Sequence, residues 1–189
     1  MPALLHKLNY TYAEYLGFEA SSNVKHEFLD GQIYAMAGGT PEHAALAAAV
    51  ITLLGPQLLG GECRPYNSDL RVRTPTGLTT YPDVKVICGS REIDVADPLA
   101  VTNPALIVEV LSRSTEEYDS GDKFEHYKSI PSLREYVLVS HREHSVEVRS
   151  RGEDGWRTAV FPEGAIAALS IGARLDVHEL YDAAEEPSA

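Results

Sequence analysis

At 189 residues, 44% of them hydrophobic, the chain is long enough for one domain with a sizeable core and short for two. Its net charge of -12 counts against a general affinity for nucleic acid, because phosphate contacts depend on clustered Lys and Arg. No stretch approaches the roughly 18 uninterrupted apolar residues of a membrane span, and the opening MPALLHKLNYTYAEYL lacks the basic flank, apolar stretch and small-residue cleavage site of a signal peptide. A soluble, cytoplasmic protein is therefore expected, with a single domain over residues 1–182 and an acidic, flexible tail over 183–189. Cys63 and Cys88 fall in no metal-binding spacing and are expected to be ordinary reduced thiols.

In chain order, Thr11-Tyr12-Ala13-Glu14 is a capping-box pattern and predicts a short helix to about Glu19. Val24 to Leu29 and Gln32 to Met36 flank Asp30-Gly31, a two-residue hairpin signal. Thr40-Pro41 supplies an N-cap and a first-turn proline for a long helix from Glu42 to Leu59. That helix is apolar nearly all round, which predicts burial, and Gly55-Pro56 predicts a kink or break. Strands are expected at Leu70 to Arg73 and Thr79 to Ile87, then a polar loop from Gly89 to Asn103 and an apolar strand from Ala105 to Leu111. Ser114-x-x-Glu117 predicts a cap for a helix reaching Ser129, with Gly121 delaying regular helix to near Asp119 or Ser120. Beyond Pro131 come strands Glu135 to Val139, Ser145 to Arg149 and Trp156 to Phe161, a turn at Asp154-Gly155, and a short helix after Asp176. This order fits an α/β fold with a mixed β-sheet flanked by helices. Arg64, Arg71, Arg73, Lys85 and Arg91 are interleaved with fewer acids, and are either a local basic face able to meet DNA or solvated strand charge.

The run Pro104-Ala105-Leu106-Ile107-Val108-Glu109-Val110-Leu111-Ser112 reads as a buried strand, yet it carries a carboxylate where desolvation is most expensive. Asp83, in Tyr81-Pro82-Asp83-Val84 on another strand, gives Glu109 a partner, and Asp122-Lys123 lies on the following helix. Two carboxylates on adjacent strands can hold one hard divalent cation, which prefers oxygen ligands. Such a cation stabilises charge building on a phosphate, and a lysine nearby orients or deprotonates the attacking water. Asp119, Lys123 and Tyr127 stand at i, i+4, i+8, one face of a helix, so the Tyr127 hydroxyl is placed to reach the same site.

Several segments together resemble a known family. They are Tyr10-Thr11-Tyr12-Ala13-Glu14-Tyr15-Leu16, His26-Glu27-Phe28-Leu29-Asp30-Gly31-Gln32-Ile33, Pro41-Glu42-His43 and Pro82-Asp83. Val108-Glu109-Val110-Leu111-Ser112-Arg113-Ser114-Thr115, Asp119-Ser120-Gly121-Asp122-Lys123-Phe124-Glu125-His126-Tyr127 and Arg134-Glu135-Tyr136-Val137-Leu138-Val139 complete them. In this order they resemble the PD-(D/E)XK nuclease superfamily and, within it, the Uma-type restriction endonuclease family. The resemblance implies a Mg²⁺-dependent endodeoxyribonuclease, with Mn²⁺ as a substitute, in which Asp83, Glu109 and the Val110 carbonyl hold the metal. It also implies Lys123 as the catalytic lysine, because Leu111 stands where the superfamily pattern has one. Glu27 and His43 are further site members by the same resemblance, Glu27 as a metal or water ligand and His43 on a phosphate or on Glu27. His43, Arg113 and Tyr127 are the expected substrate contacts, DNA is the expected partner, and a homo-oligomer, a dimer first, is expected because superfamily members often dimerise.

Two other classes compete. A catalytically silent nuclease-fold module for binding or assembly suits the acidic charge and the missing lysine after Glu109. A metal-free carboxylate-pair hydrolase such as a glycosidase also needs two acids, but leaves Lys123 without a role. Each residue has a plainer use as well: Glu109 paired with a buried arginine, Lys123 in a surface ion pair with Asp119 or Glu116, and Tyr127 as packing.

Overall fold

The computed structural model describes residues 9–36 and 38–185. Helix α1 (Tyr12–Ser21) starts at the expected capping box: Thr11 Oγ1 accepts from Glu14 N at 3.2 Å, and Thr11 N donates to Glu14 Oε2 at 2.8 Å. Strands β1 (His26–Leu29) and β2 (Gln32–Ala35) form the expected hairpin, with Asp30 and Gly31 at φ 49° and 79°, the positive pair this tight turn requires. Helix α2 (Pro41–Leu58) is capped by Thr40 and runs through Pro56 without breaking. It is buried along one face only, through Leu46, Ala49, Val50, Leu54 and Leu58, so its apolar composition overstated its burial.

The middle of the chain corrects the expected strand order. Strands β3 (Cys63–Asn67) and β4 (Arg71–Arg73) precede a segment whose single expected strand is divided into β5 (Thr79–Thr80) and β6 (Val84–Cys88). Pro82 cannot donate to a ladder, and the chain uses that gap to leave one sheet and join another. Asp83 thereby stands just ahead of β6. The polar loop contains β7 (Ala100–Val101), and β8 (Leu106–Val110) follows. Helices α3 (Glu116–Ser120) and α4 (Asp122–Lys128) replace the single expected helix, parted at Gly121. Ser114 makes no cap; its hydroxyl meets Ser112 Oγ, and Thr115 takes the N-cap position without capping the helix, its Oγ1 lying 2.9 Å from Ser112 Oγ. Gly121 is tight against the Glu117 carbonyl, 2.9 Å from where a Cβ would stand, and this carbonyl of the helix break is its close neighbour. Strands β9 (Glu135–Val139), β10 (Ser145–Gly152) and β11 (Gly155–Pro162) lead to an unanticipated hairpin, β12 (Ile166–Leu169) and β13 (Ala173–Asp176), and to helix α5 (Val177–Asp182). Residues 183–185, assigned to the tail, continue α5 as a turn, Glu185 N donating to Tyr181 O; the rest of the expected tail and the first eight residues lie outside the described residues.

The main sheet has the order β11-β10-β9-β8-β6-β3, with β8 and β9 parallel and the other neighbours antiparallel. A second sheet, β2-β1-β5-β4-β7, was not foreseen. Alternation along β8 sends Leu106, Val108 and Val110 into one core with α2, α5 and the β12–β13 hairpin. Ile107 and Leu111 enter a second core with Phe124 and Tyr127 of α4 and Tyr136 and Leu138 of β9. Both faces of β8 are covered, which explains its unbroken apolar run. Glu109 points to the α4 side.

One further expectation fails. Cys63 and Cys88 are directly opposed across β3 and β6 and form a disulfide. A cross-strand pairing of cysteines 25 residues apart shows no local spacing signal. Within the basic series from Arg64 to Arg91, Arg64 and Arg91 are exposed, Arg64 also caps the Leu58, Gly61 and Cys63 carbonyls, Arg71 pairs with Asp97, and Arg73 pairs with Asp94. Lys85 is fully buried and donates to the Asn67 and Leu70 carbonyls at 2.7 and 2.8 Å. Its burial pulls its pKa down to about 7. No helix among the described residues is long and apolar enough to cross a membrane.

Candidate active site

Both acids stand on the edge of one cleft because β6 and β8 are adjacent and antiparallel, which puts Asp83, just ahead of β6, beside the end of β8. Each reaches across to the other's backbone: Asp83 N donates to Glu109 Oε2 at 3.1 Å, and Val110 N donates to Asp83 Oδ2 at 2.8 Å. These bonds hold the two carboxylates in register without a side-chain cation between them. The other Glu109 oxygen, Oε1, accepts from Tyr127 Oη at 2.8 Å and meets Lys123 Nζ at 3.0 Å.

Lys123 is the centre of the cluster. It is 5% exposed, and its ammonium lies 3.0 Å from Glu27 Oε1, 3.0 Å from Glu109 Oε1 and 3.2 Å from Asp119 Oδ1. The break at Gly121 ends α3 and starts α4, yet Asp119 and Lys123 keep the i, i+4 contact that the spacing predicts. Burial opposes its charge, but Glu109, Tyr127, Glu27 and Asp119 outweigh burial and hold its pKa well above the ordinary lysine value. Lys123 therefore keeps its proton and acts as a donor and positive charge. Glu109 is pushed up to about 8, chiefly by burial and against the pull of Lys123. Three donors converge on its two oxygens, an arrangement that suits the carboxylate and not the acid.

Glu27 comes from β1, in the other sheet, and Thr80 of β5 donates to its Oε1. It is thus the one acid of the cluster delivered by the second sheet. His43 lies in the first turn of α2, with its Nε2 3.2 Å from Asp83 Oδ2. The hydrogen bond to Asp83 is the main cause of its raised pKa. His43 thus holds Asp83 and not Glu27 as expected. Tyr127 is fully buried and does not line the cleft, and its hydroxyl reaches the site by donating to Glu109 Oε1. Arg113 is exposed on the cleft wall.

The cleft has a volume of about 680 Å³ and is also lined by Val110, Leu111, Tyr118 and His141. Leu111 packs into the α4 core, so its position contributes no charge, while Lys123 supplies the ammonium from the facing helix. Asp119, Thr80, Tyr118 and His141 were not singled out as site members. Only Asp119 carried a signal, its helical spacing to Lys123. The others depend on how loops and the second sheet close on the cleft. Four carboxylates, Asp83, Glu109, Glu27 and Asp119, surround one lysine and one histidine. That excess of negative, oxygen-donating charge suits a hard divalent cation. Among the described residues, no three His, Cys, Asp or Glu side chains converge into a cage, so a cation here would take its remaining ligands from backbone and water.

The chain is thus a mixed α/β protein with a carboxylate–lysine cluster at the end of adjacent central strands, a fold shared with a nuclease-fold neighbour. The chain belongs to the Uma2 family, described as "Putative restriction endonuclease", whose model matches residues 12–178. It is 43% identical over 143 residues to the uncharacterized protein slr1290 of Synechocystis, covering 75% of this chain and 74% of that one. A second Synechocystis protein, the uncharacterized sll1609, is 37% identical over 130 residues, 68% of this chain and 73% of the other. Among solved structures, a "putative nuclease belonging to DUF820" from Anabaena variabilis superposes with a TM-score of 0.75 at 16% identity, over 92% of this chain and 98% of that one. Family and fold together support a nuclease function.

Proposed function

We propose that the protein is a metal-dependent endonuclease that hydrolyses phosphodiester bonds in DNA. The observation that carries this reading is Lys123, buried and packed 3.0 Å from Glu109 at the wall of a cleft that also presents Asp83. Asp83, Glu109 and the Val110 carbonyl would hold Mg²⁺ or Mn²⁺, and the bound ion would lower the pKa of a water and neutralise charge on the phosphate. Lys123 would serve as a hydrogen-bond donor to the attacking water while keeping its own proton. Glu27 and Asp119 hold the ammonium in place, Tyr127 fixes the Glu109 rotamer, and His43 fixes Asp83. Arg113, exposed on the cleft wall, meets a substrate phosphate. A homodimer would supply two such clefts for the two strands of a duplex.

Supercoiled plasmid incubated with Mg²⁺ or Mn²⁺ should be nicked by the wild type and not by Asp83→Ala. Equal cleavage by both proteins would trace the activity to a contaminant and remove the assignment. A second reading, a silent binding or assembly module, is favoured by one observation: protein donors already occupy both Glu109 oxygens. Calorimetry separates the two. Mn²⁺ binding that weakens in Glu109→Ala supports the enzyme, whereas no binding at millimolar Mn²⁺ supports the module.

A further inference from the structure

A second cavity, of about 410 Å³, adjoins the catalytic cleft, and Glu42, Leu46 and His141 line both. His141 follows the end of β9 and stands where the two cavities meet. On the cavity wall His144 stacks on Tyr181, with ring centroids 4.3 Å apart and planes 11° from parallel. That platform is built in advance: Tyr181 Oη is tied to the Ser140 and Ser145 carbonyls at 2.7 and 2.9 Å, and His144 Nδ1 lies 2.8 Å from Glu163 Oε2. The His144 side chain remains 45% exposed. Charge decides what fits. Glu42, Glu143 and Glu185 outnumber Arg142, which is itself paired with Glu116, so the cavity repels a phosphate but not an uncharged heterocycle.

Resting on the nuclease reading, we infer that this cavity receives one unpaired nucleobase of the DNA strand held in the cleft. His144 on its Tyr181 support stacks with the base. The substrate class is then DNA with a single-stranded or frayed segment next to the cut, and a fully paired duplex fits only after a base is turned out.

The test is an abasic scan of a fluorescein-labelled single-stranded oligonucleotide, with binding followed by anisotropy in Ca²⁺ and cleavage of the same strand followed in Mg²⁺. Removing the base at one position should weaken wild-type binding about tenfold, the worth of one base–aromatic stack. His144→Ala should lose a similar factor on the intact strand and lose the position-specific abasic effect, and His144→Phe should restore both. An abasic profile that is flat, or unchanged in His144→Ala, would overturn the cavity assignment, and continued cleavage by the wild type would leave the nuclease reading standing. A wild type that neither binds nor cuts any of the strands would overturn both.

Discussion

Lys123 and Glu109 show what a buried charge requires. Neither would be stable alone in the core between β8 and α4, because removing one member of a buried pair leaves the other uncompensated. Lys123→Met would strand Glu27, Glu109 and Asp119 together, and chemical denaturation should show a loss of about 3–5 kcal/mol. Millimolar Mn²⁺ should recover part of that loss, since a cation supplies the missing positive charge. A loss below about 1 kcal/mol would mean that the cluster carries little net charge in the fold. The pairing of Asp83 with Glu109 and the face shared by Asp119 and Lys123 were legible, because strand order and helical spacing are local patterns. The reach of the Tyr127 hydroxyl was legible from the same spacing, but the partner of His43 was not, because it depends on which neighbour the tertiary fold brings to it. Lys85 reads as strand charge in sequence, and only the turn between β3 and β4 supplies the two carbonyls that make its burial tolerable.

Elements with a strong local code were legible: the Thr11 capping box, the Asp30-Gly31 hairpin, and β9, whose bounds match. The β12–β13 hairpin was not, since Ile166-Ala167-Ala168-Leu169 offers too few β-branched or aromatic residues to announce a strand. Its place is set by tertiary packing of Ala167, Leu169 and Leu175 against α2 and the main sheet. The start of α5 is joined to this region by ion pairs, with Glu163 bridging His144 and His178, and His178 also facing Asp182. The hydrogen bond to Glu163, followed by the charge of Asp182, raises the His178 pKa. A raised folded-state value means that the contact stabilises α5 fully below the unfolded histidine value of 6.5 and fades as pH climbs through the folded one. A ring-proton NMR titration should show a midpoint above 6.5 that falls toward it in Glu163→Gln. An unchanged midpoint in the variant would assign the shift to Asp182 instead.

For the whole molecule, two sheets meet at the cleft. The main sheet brings Asp83 and Glu109, the smaller sheet brings Glu27, and α4 closes over them with Lys123. Mixed α/β architecture was legible from element order, but the division into two sheets was not, because it turns on Pro82 breaking one apparent strand into β5 and β6. The Cys63–Cys88 bridge pins the outer strand β3 to β6, the strand that begins beside Asp83. Reducing it, or replacing both cysteines with serine, should lower stability by about 3 kcal/mol, read as a shift in the denaturation midpoint with and without reductant. No shift on reduction would show that the thiols are unpaired in solution.

The central claim is that the carboxylates at the end of β6 and β8 exist to hold a catalytic cation. Anomalous diffraction from a crystal soaked in millimolar Mn²⁺ tests it most directly. The account predicts one peak bounded by Asp83, Glu109 and the Val110 carbonyl, on the cleft side of Lys123. No peak there, or a peak only at surface acids such as Glu163 and Asp182, would contradict it.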